Sequence, residues 1–291
     1  GGEKRDMDYT KRVAIMIATR DRPTELALLL QSLRTSRFQD FDIFIREDAS
    51  GTPLQNYYFL NLLIIRMKQE GHRFFINRND FCLGVSGNRH QLVLDVPKEY
   101  KYMIRLDDDV IVEPDYIDKL FEVIEQGYDL ASGITCGLMP MFKREPKMNI
   151  INRIILNDNG EFILNGDDCG MPYTDGIILP AHHFRSCALY KREIHDKVNY
   201  MPTRLSLNGY REEEIFSLKM LLEGYKIGVH TGAINYHLMT PSGGERTTMN
   251  LAPFNQQMLC EFVKEHKEEF KKIFPRDIDP LELMKENNLL R

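Results

Sequence analysis

Three consecutive carboxylates, Asp107, Asp108 and Asp109, stand at the end of the apolar run Tyr102-Met103-Ile104-Arg105-Leu106, just before Val110-Ile111-Val112. Carboxylates this close repel one another, and each resists leaving water unless a cation sits beside it. A divalent metal with oxygen preference, Mg²⁺ or Mn²⁺, satisfies such a group. A metal held by one or two carboxylates is usually completed by substrate phosphates, so the run points to a phosphate-bearing substrate.

Three further polar clusters end or follow apolar stretches. They are Thr19-Arg20-Asp21, Glu47-Asp48, and Gly84-Val85-Ser86-Gly87-Asn88-Arg89. Each has a bland reading when taken alone: a polar turn, an Asx-type turn with a helix cap, an ordinary helix start. An acidic triplet alone is as readily a solvated loop. Taken together, the four clusters need elements that bring them to one place.

Those elements read as alternating strands and helices. Arg12 to Ala18 is apolar throughout, as in a strand buried on both faces of a parallel sheet. Thr24 is positioned to cap a helix whose Leu26, Leu29, Leu30 and Leu33 share helical spacing. A strand over Phe41 to Arg46, a helix around Leu54 to Glu70 and a short strand at Arg73 to Asn77 follow. A helix opened by Gly84 carries Leu92 and Leu94, the Asp run ends a strand, and Pro114-Asp115-Tyr116 starts the next helix. This pattern predicts a doubly wound, parallel α/β sheet with a ligand crevice along the strand carboxyl ends. Beyond about residue 137 the pattern changes. Asn157-Asp158-Asn159-Gly160 reads as a hairpin turn, followed by a helix at Glu212 to Glu223, a strand at Lys226 to His230 and an amphipathic packing helix at Phe254 to Phe274.

Composition narrows the class. The chain has 291 residues, 43% of them hydrophobic, enough for one large or two small α/β domains. A formal charge of −5 argues against a general nucleic-acid or anionic-membrane binder. No apolar stretch approaches the roughly 20 residues of a membrane span, and no signal peptide is read at the start, where Gly1-Gly2 looks like a cloning remnant. Five dispersed cysteines without a CxxC pair read as reduced thiols of a cytoplasmic protein.

In this order, the segments Val13 to Pro23, Phe44 to Ser50, Gly84 to Arg89 and Leu106 to Asp109 resemble the family 2 glycosyltransferases, the last matching their DxD signature. The resemblance covers roughly residues 11 to 240. It implies the GT-A fold: a Rossmann-like, mostly parallel central sheet flanked by helices, with a small antiparallel acceptor-side subdomain. It also implies an organisation of 1–10 as tag remnant, 11–115 as nucleotide-sugar half, 116–250 as acceptor and catalytic half, and 251–291 as a helical extension.

The implied activity is an inverting, metal-dependent transfer from a nucleoside diphosphate sugar, UDP above all, to a hydroxyl. Thr19 and Arg20 would flank the nucleoside, with Asp21 in the same loop. Glu47 would accept from the nucleobase, and Arg89 would lie near the diphosphate. Asp107 would face the ribose or the metal, and Asp109 would bind Mn²⁺ or Mg²⁺ directly. Asp108 would belong to the donor site without an assigned task. Arg211-Glu212-Glu213-Glu214 resembles the family's catalytic segment, which makes Glu213 the base, with Glu212 its competitor. His237 would be the third metal ligand, with His230 as its rival. Arg246, in a Gly-rich loop, could reach the diphosphate. Ser186 to Arg192 resembles the family's strand beside the acceptor; His182-His183 and Asp167-Asp168 are further acceptor-side candidates. The acceptor could be a glycan, a lipid-linked saccharide, a protein, a small molecule or a modified nucleic-acid base. Two other classes compete with this reading. A sugar-phosphate nucleotidyltransferase wants a Gly-rich loop where this chain has Ala18 to Arg22. A non-catalytic nucleotide-sugar-binding protein has no need of Asp107, Asp109 and Glu213.

Overall fold

The computed structural model describes residues 12–138, 150–156, 162–164, 176–198, 209, 211–244 and 252–273. The apolar run at the start forms β1 (Val13–Thr19), and Pro23, pre-set for a first helical turn, begins α1 (Pro23–Arg34). Leu26, Leu29, Leu30 and Leu33 lie fully buried on one face of α1. Thr24 is not its cap: the flanking residue is Arg22, with no side-chain cap bond. Then come β2 (Phe41–Glu47), a 3-10 turn at Leu54–Asn56, α2 (Tyr58–Gln69), β3 (Phe74–Arg78) and α3 (Gly84–Asp95). On α3, Leu92 is buried but Leu94 is 61% exposed. A two-residue step turns a side chain to the opposite side of a helix. β4 (Tyr102–Asp107) ends in the first Asp, and β5 (Val110–Val112) follows the other two.

The second half holds α4 (Tyr116–Glu125), β6 (Leu130–Cys136), β7 (Ile154–Leu156), β8 (Phe162–Leu164), β9 (Ile178–Ala181) and β10 (Ala188–Lys191). It continues with α5 (Arg192–Val198), α6 (Glu212–Leu222), β11 (Ile227–His237), α7 (Ala252–Glu265) and α8 (Lys267–Ile273). β7 and β8 pair antiparallel as expected of a hairpin, while the proposed turn at Asn157–Gly160 lies outside the described residues.

The main sheet runs β3-β2-β1-β4-β10-β6-β11-β5, with β9 paired to β11. The first four strands are parallel, and register sets Thr19 opposite Glu47 and Ala18 opposite Asp107. The strand ends are therefore level. β10 then enters antiparallel between β4 and β6, so the sheet is mixed beyond β4. Apolar side chains fill both faces: one core packs against α1, α2 and α4, the other against α3, α5 and α6. α7 and α8 add a smaller cluster in which Leu259, Val263 and Phe270 meet Leu218 of α6. Among the described residues, no helix is long and apolar enough to cross a membrane.

β11 is longer than the sequence suggests. It does not stop at His230 but passes an irregularity between Val229 and Ile234 and continues to His237. Gly133 of β6 makes this close passage possible, because a Cβ there would lie 2.1 Å from the carbonyl oxygen of Ala233. Gly133→Ala is therefore expected to destabilise the protein by about 1–3 kcal/mol or more through overpacking against backbone. Chemical denaturation of the variant checks this.

Candidate active site

A cavity of about 690 Å³ opens at the carboxyl ends of β1 and β4, with Thr19, Asp107, Asp108, Asp109, Arg89, Glu213 and His237 on its walls. The three Asp side chains part company there. Asp107, the last residue of β4, pairs with Arg89 from α3. Asp108 turns inward, accepting from Thr19 Oγ1 at 2.8 Å and Arg22 Nη1 at 2.9 Å. Burial pushes its pKa up to about 6, against the pull of Arg22 and with the push of Asp109. Asp109 Oδ2 lies 2.9 Å from His237 Nε2 and 3.3 Å from Arg22 Nη1. β5 builds this meeting, since Val110 pairs with His237 across the ladder. His230 is elsewhere, with Nε2 3.0 Å from Glu122.

Glu213, at the start of α6, also lines the cavity, and its neighbour Glu212 is buried beside it. Glu212 is 1% exposed and clamped by two cations. Arg105 reaches it at 3.1 and 3.2 Å, and Arg89 completes the clamp. Burial opposes its charge, but Arg105 and Arg89 prevail and hold its pKa below the ordinary glutamate value. Glu213 faces the cavity, 3.5 Å from Arg105 and 3.8 Å from Arg89. Burial first, and the neighbouring Glu212 second, push its pKa up to about 7. Adjacent carboxylates in unlike surroundings thus divide into a fixed anion and a proton acceptor poised near neutrality.

Several expected residues serve other ends. Glu47 is outside the cavity lining and buried; its carboxylate is taken by Arg78 and by the Leu54 N–H at 3.3 Å. Glu47 is thus not among the expected residues that the cavity brings together. Asp48 reaches the cavity instead, and it accepts from the N–H groups of Leu83 (2.8 Å) and Gly84 (2.9 Å) at the head of α3. Asp21, with φ 51°, braces two loops: its N–H meets Ser50 Oγ at 3.0 Å and its carboxylate accepts from Gly51 N at 2.7 Å. Arg20 lines the cavity. His182 is no acceptor contact but a brace, accepting from Ile154 N at 3.0 Å, and burial lowers its pKa to about 4. His183 is buried outside the lining. Asp167, Asp168 and Arg246 lie outside the described residues.

Two working arginines escaped the sequence reading. Arg105 had a signal, a lone cation inside an apolar strand, which requires a buried carboxylate partner. Arg22 had none beyond its place in the loop before Pro23.

The residue set admits a divalent cation. Asp109 and His237 bring one carboxylate oxygen and one imidazole nitrogen within 2.9 Å of each other on the cavity wall, donor types that Mn²⁺ accepts. Asp107, expected beside them, is engaged by Arg89. Among the described residues no group of three or more His, Cys, Asp or Glu side chains is arranged to hold a metal.

Residues 14–198 match the family profile described as glycosyl transferase family 2. The chain belongs to glycosyl transferase family 2. No curated protein sequence matches it. Among solved structures, S. aureus TarS 1-349 in complex with UDP-GlcNAc is similar at 13% identity and TM-score 0.61, covering 94% of this chain and 69% of that one. GalNAc-T7 with UDP, GalNAc and Mn²⁺ is similar at 13% identity and TM-score 0.65, covering 96% and 55%. A further TarS 1-349 structure, at 14% identity and TM-score 0.55, is covered over 60% of its length. At such identities the likeness shows the fold, and it is the GT-A fold. The family 2 domain therefore carries its acids where a mixed sheet levels its strand ends.

The Arg89–Arg105–Glu212 cluster yields a stability prediction. Arg105→Ala leaves a buried carboxylate with one cation instead of two. Breaking a buried pair costs about 3–5 kcal/mol, so this variant should lose stability of that order by urea denaturation.

Proposed function

We propose that this protein is an inverting, metal-dependent glycosyltransferase that moves a sugar from a UDP-sugar to a hydroxyl acceptor. The observation that carries the reading is Glu213, lining the same cavity as Asp109 and His237 and paired with Arg105 and Arg89, with its pKa raised toward neutrality. A base of that strength accepts a proton at physiological pH.

Glu213 takes the proton of the acceptor hydroxyl as its oxygen attacks the anomeric carbon. Arg89 and Arg105 hold Glu213 in place and stabilise its anionic form. Glu212 has no room to receive a proton, because both its oxygens are engaged. One base and no enzyme nucleophile make a single displacement, which inverts the sugar. Asp109 and His237 would hold a divalent cation, which supplies charge neutralisation to the departing diphosphate. Asp108, anchored by Thr19 and Arg22, keeps the loop after β1 against the Asp run. Thr19, Arg20 and the loop braced by Asp21 and Asp48 form the nucleoside side. UDP and Mn²⁺ in the similar structures support this choice of donor and metal.

Glu213→Gln should lower turnover by about 10²- to 10⁴-fold while keeping nucleotide affinity, as read by steady-state kinetics and calorimetry. A raised carboxyl pKa keeps the group protonated to higher pH, so the base is lost as pH falls. The wild-type rate should therefore decline below about pH 7, and residual activity of Glu213→Gln should show no such limb. In a thermal-shift panel, UDP with Mn²⁺ should stabilise the protein more than UDP alone. Asp109→Ala should erase that difference.

A further inference from the structure

Five arginines line the cavity: Arg20, Arg22, Arg89, Arg185 and Arg211. Four of them meet carboxylates. Arg20 lies 3.6 Å from Asp21, Arg22 holds Asp108, and Arg89 joins Asp107 to Glu212. Arg211 donates to Glu214 at 3.2 Å and to Gln256 at 2.8 Å. Arg185 differs. Its Nε is buried without a hydrogen-bond partner, and among the described residues its guanidinium makes no ion pair. The side chain as a whole is half-buried, so it is this one N–H donor, shut off from solvent without an acceptor, that is costly. Such a group marks a place where a ligand supplies the acceptor.

The backbone around Arg185 is built to hold that position. Cys187 N donates to Arg185 O at 2.6 Å, closing a three-residue turn with Ser186 at φ 56°. A left-handed serine in so tight a turn is strained, and such strain collects at ligand clamps. Both ends of the turn are fixed. Cys187 is fully buried, its carbonyl accepting from Ser132 Oγ at 2.6 Å, and β10 follows directly in the centre of the sheet. Phe184 N donates to Ser217 Oγ at 3.4 Å, and Ser217 Oγ donates to Glu213 O at 2.7 Å. Arg185 is thereby tethered to the helix that carries Glu213. Arg211, at φ 71° immediately before α6, adds a second positive charge to that wall.

Resting on the glycosyltransferase reading above, we infer that the acceptor carries an anionic group, phosphate or carboxylate, near the attacked hydroxyl, and that Arg185 is its seat. The planar guanidinium takes either group through two parallel N–H bonds. It would orient the acceptor so that the hydroxyl, not the anion, faces Glu213.

The test uses the whole protein saturated with UDP and Mn²⁺. Glycerol 3-phosphate and glucuronate serve as anionic probes, glycerol and glucose as their neutral counterparts, and inorganic phosphate as the bare anion, with binding followed by ligand-observed NMR. An anionic probe should bind at least about tenfold more tightly than its neutral partner. The phosphate and carboxylate arms show which anion is preferred. Arg185→Gln should abolish the preference, Arg185→Lys should retain part of it, and UDP affinity should be alike in all three. An equal preference in wild type and Arg185→Gln overturns the inference. So does a tenfold loss of UDP affinity in Arg185→Gln, which would assign Arg185 to the donor diphosphate. Absence of UDP binding in the wild type would instead remove the donor reading itself, and the inference with it.

Discussion

The site depends on two buried arginines that share one glutamate. Arg105 rises from β4 two residues before the Asp run, and Arg89 reaches in from α3. Both close on Glu212 at the first turn of α6, and Arg89 also grips Asp107. The consecutive elements α3 and β4 are thereby fixed at one point to α6 from the far half of the chain. Burying such charges costs several kcal/mol for each ion, offset only when every charge finds a partner. The return is orientation. With Glu212 saturated, Glu213 is left facing the cavity, in a field where burial and a neighbouring anion favour its protonated form.

The other wall follows from the geometry of a strand end. Successive residues at the close of β4 cannot face one point, because strand side chains alternate and the turn into β5 rotates the next pair. Asp107 therefore goes to Arg89, Asp108 to Thr19 and Arg22, and Asp109 to His237. Asp108, the conspicuous middle acid, is a tie between the loop after β1 and the run. That leaves Asp109 and His237 as the acid and imidazole paired on the cavity wall.

Much of this was legible in the sequence, for identifiable reasons. The parallel half of the sheet was readable because β1 and β2 are apolar runs bounded by polar loops. The meeting of Thr19, Asp107, Asp108 and Asp109 followed from that topology. The later half was harder. β6 contains Gly133 and kept no strand signature, and Thr231-Gly232 cut the reading of β11 short at His230; Gly133 sits where two strands pass too closely for a side chain. β5 is three residues long. The direction of Glu47 was not legible because a carboxylate at a strand end carries no mark of which way it turns, and here it pairs with Arg78. Whether Glu212 or Glu213 faces the cavity depends on Arg105, whose partner no local pattern could name.

The central claim is that Glu212 and Glu213 are held in opposite protonation regimes by Arg89 and Arg105. A carbon-13 NMR titration of protein labelled at glutamate carboxyls tests it directly. The account predicts one glutamate carboxyl titrating near neutrality, absent from the spectrum of Glu213→Gln, and another staying ionised well below the ordinary glutamate range, absent from Glu212→Gln. If the neutral-range signal disappears with Glu212→Gln and survives Glu213→Gln, or if neither carboxyl departs from ordinary titration, the account is contradicted.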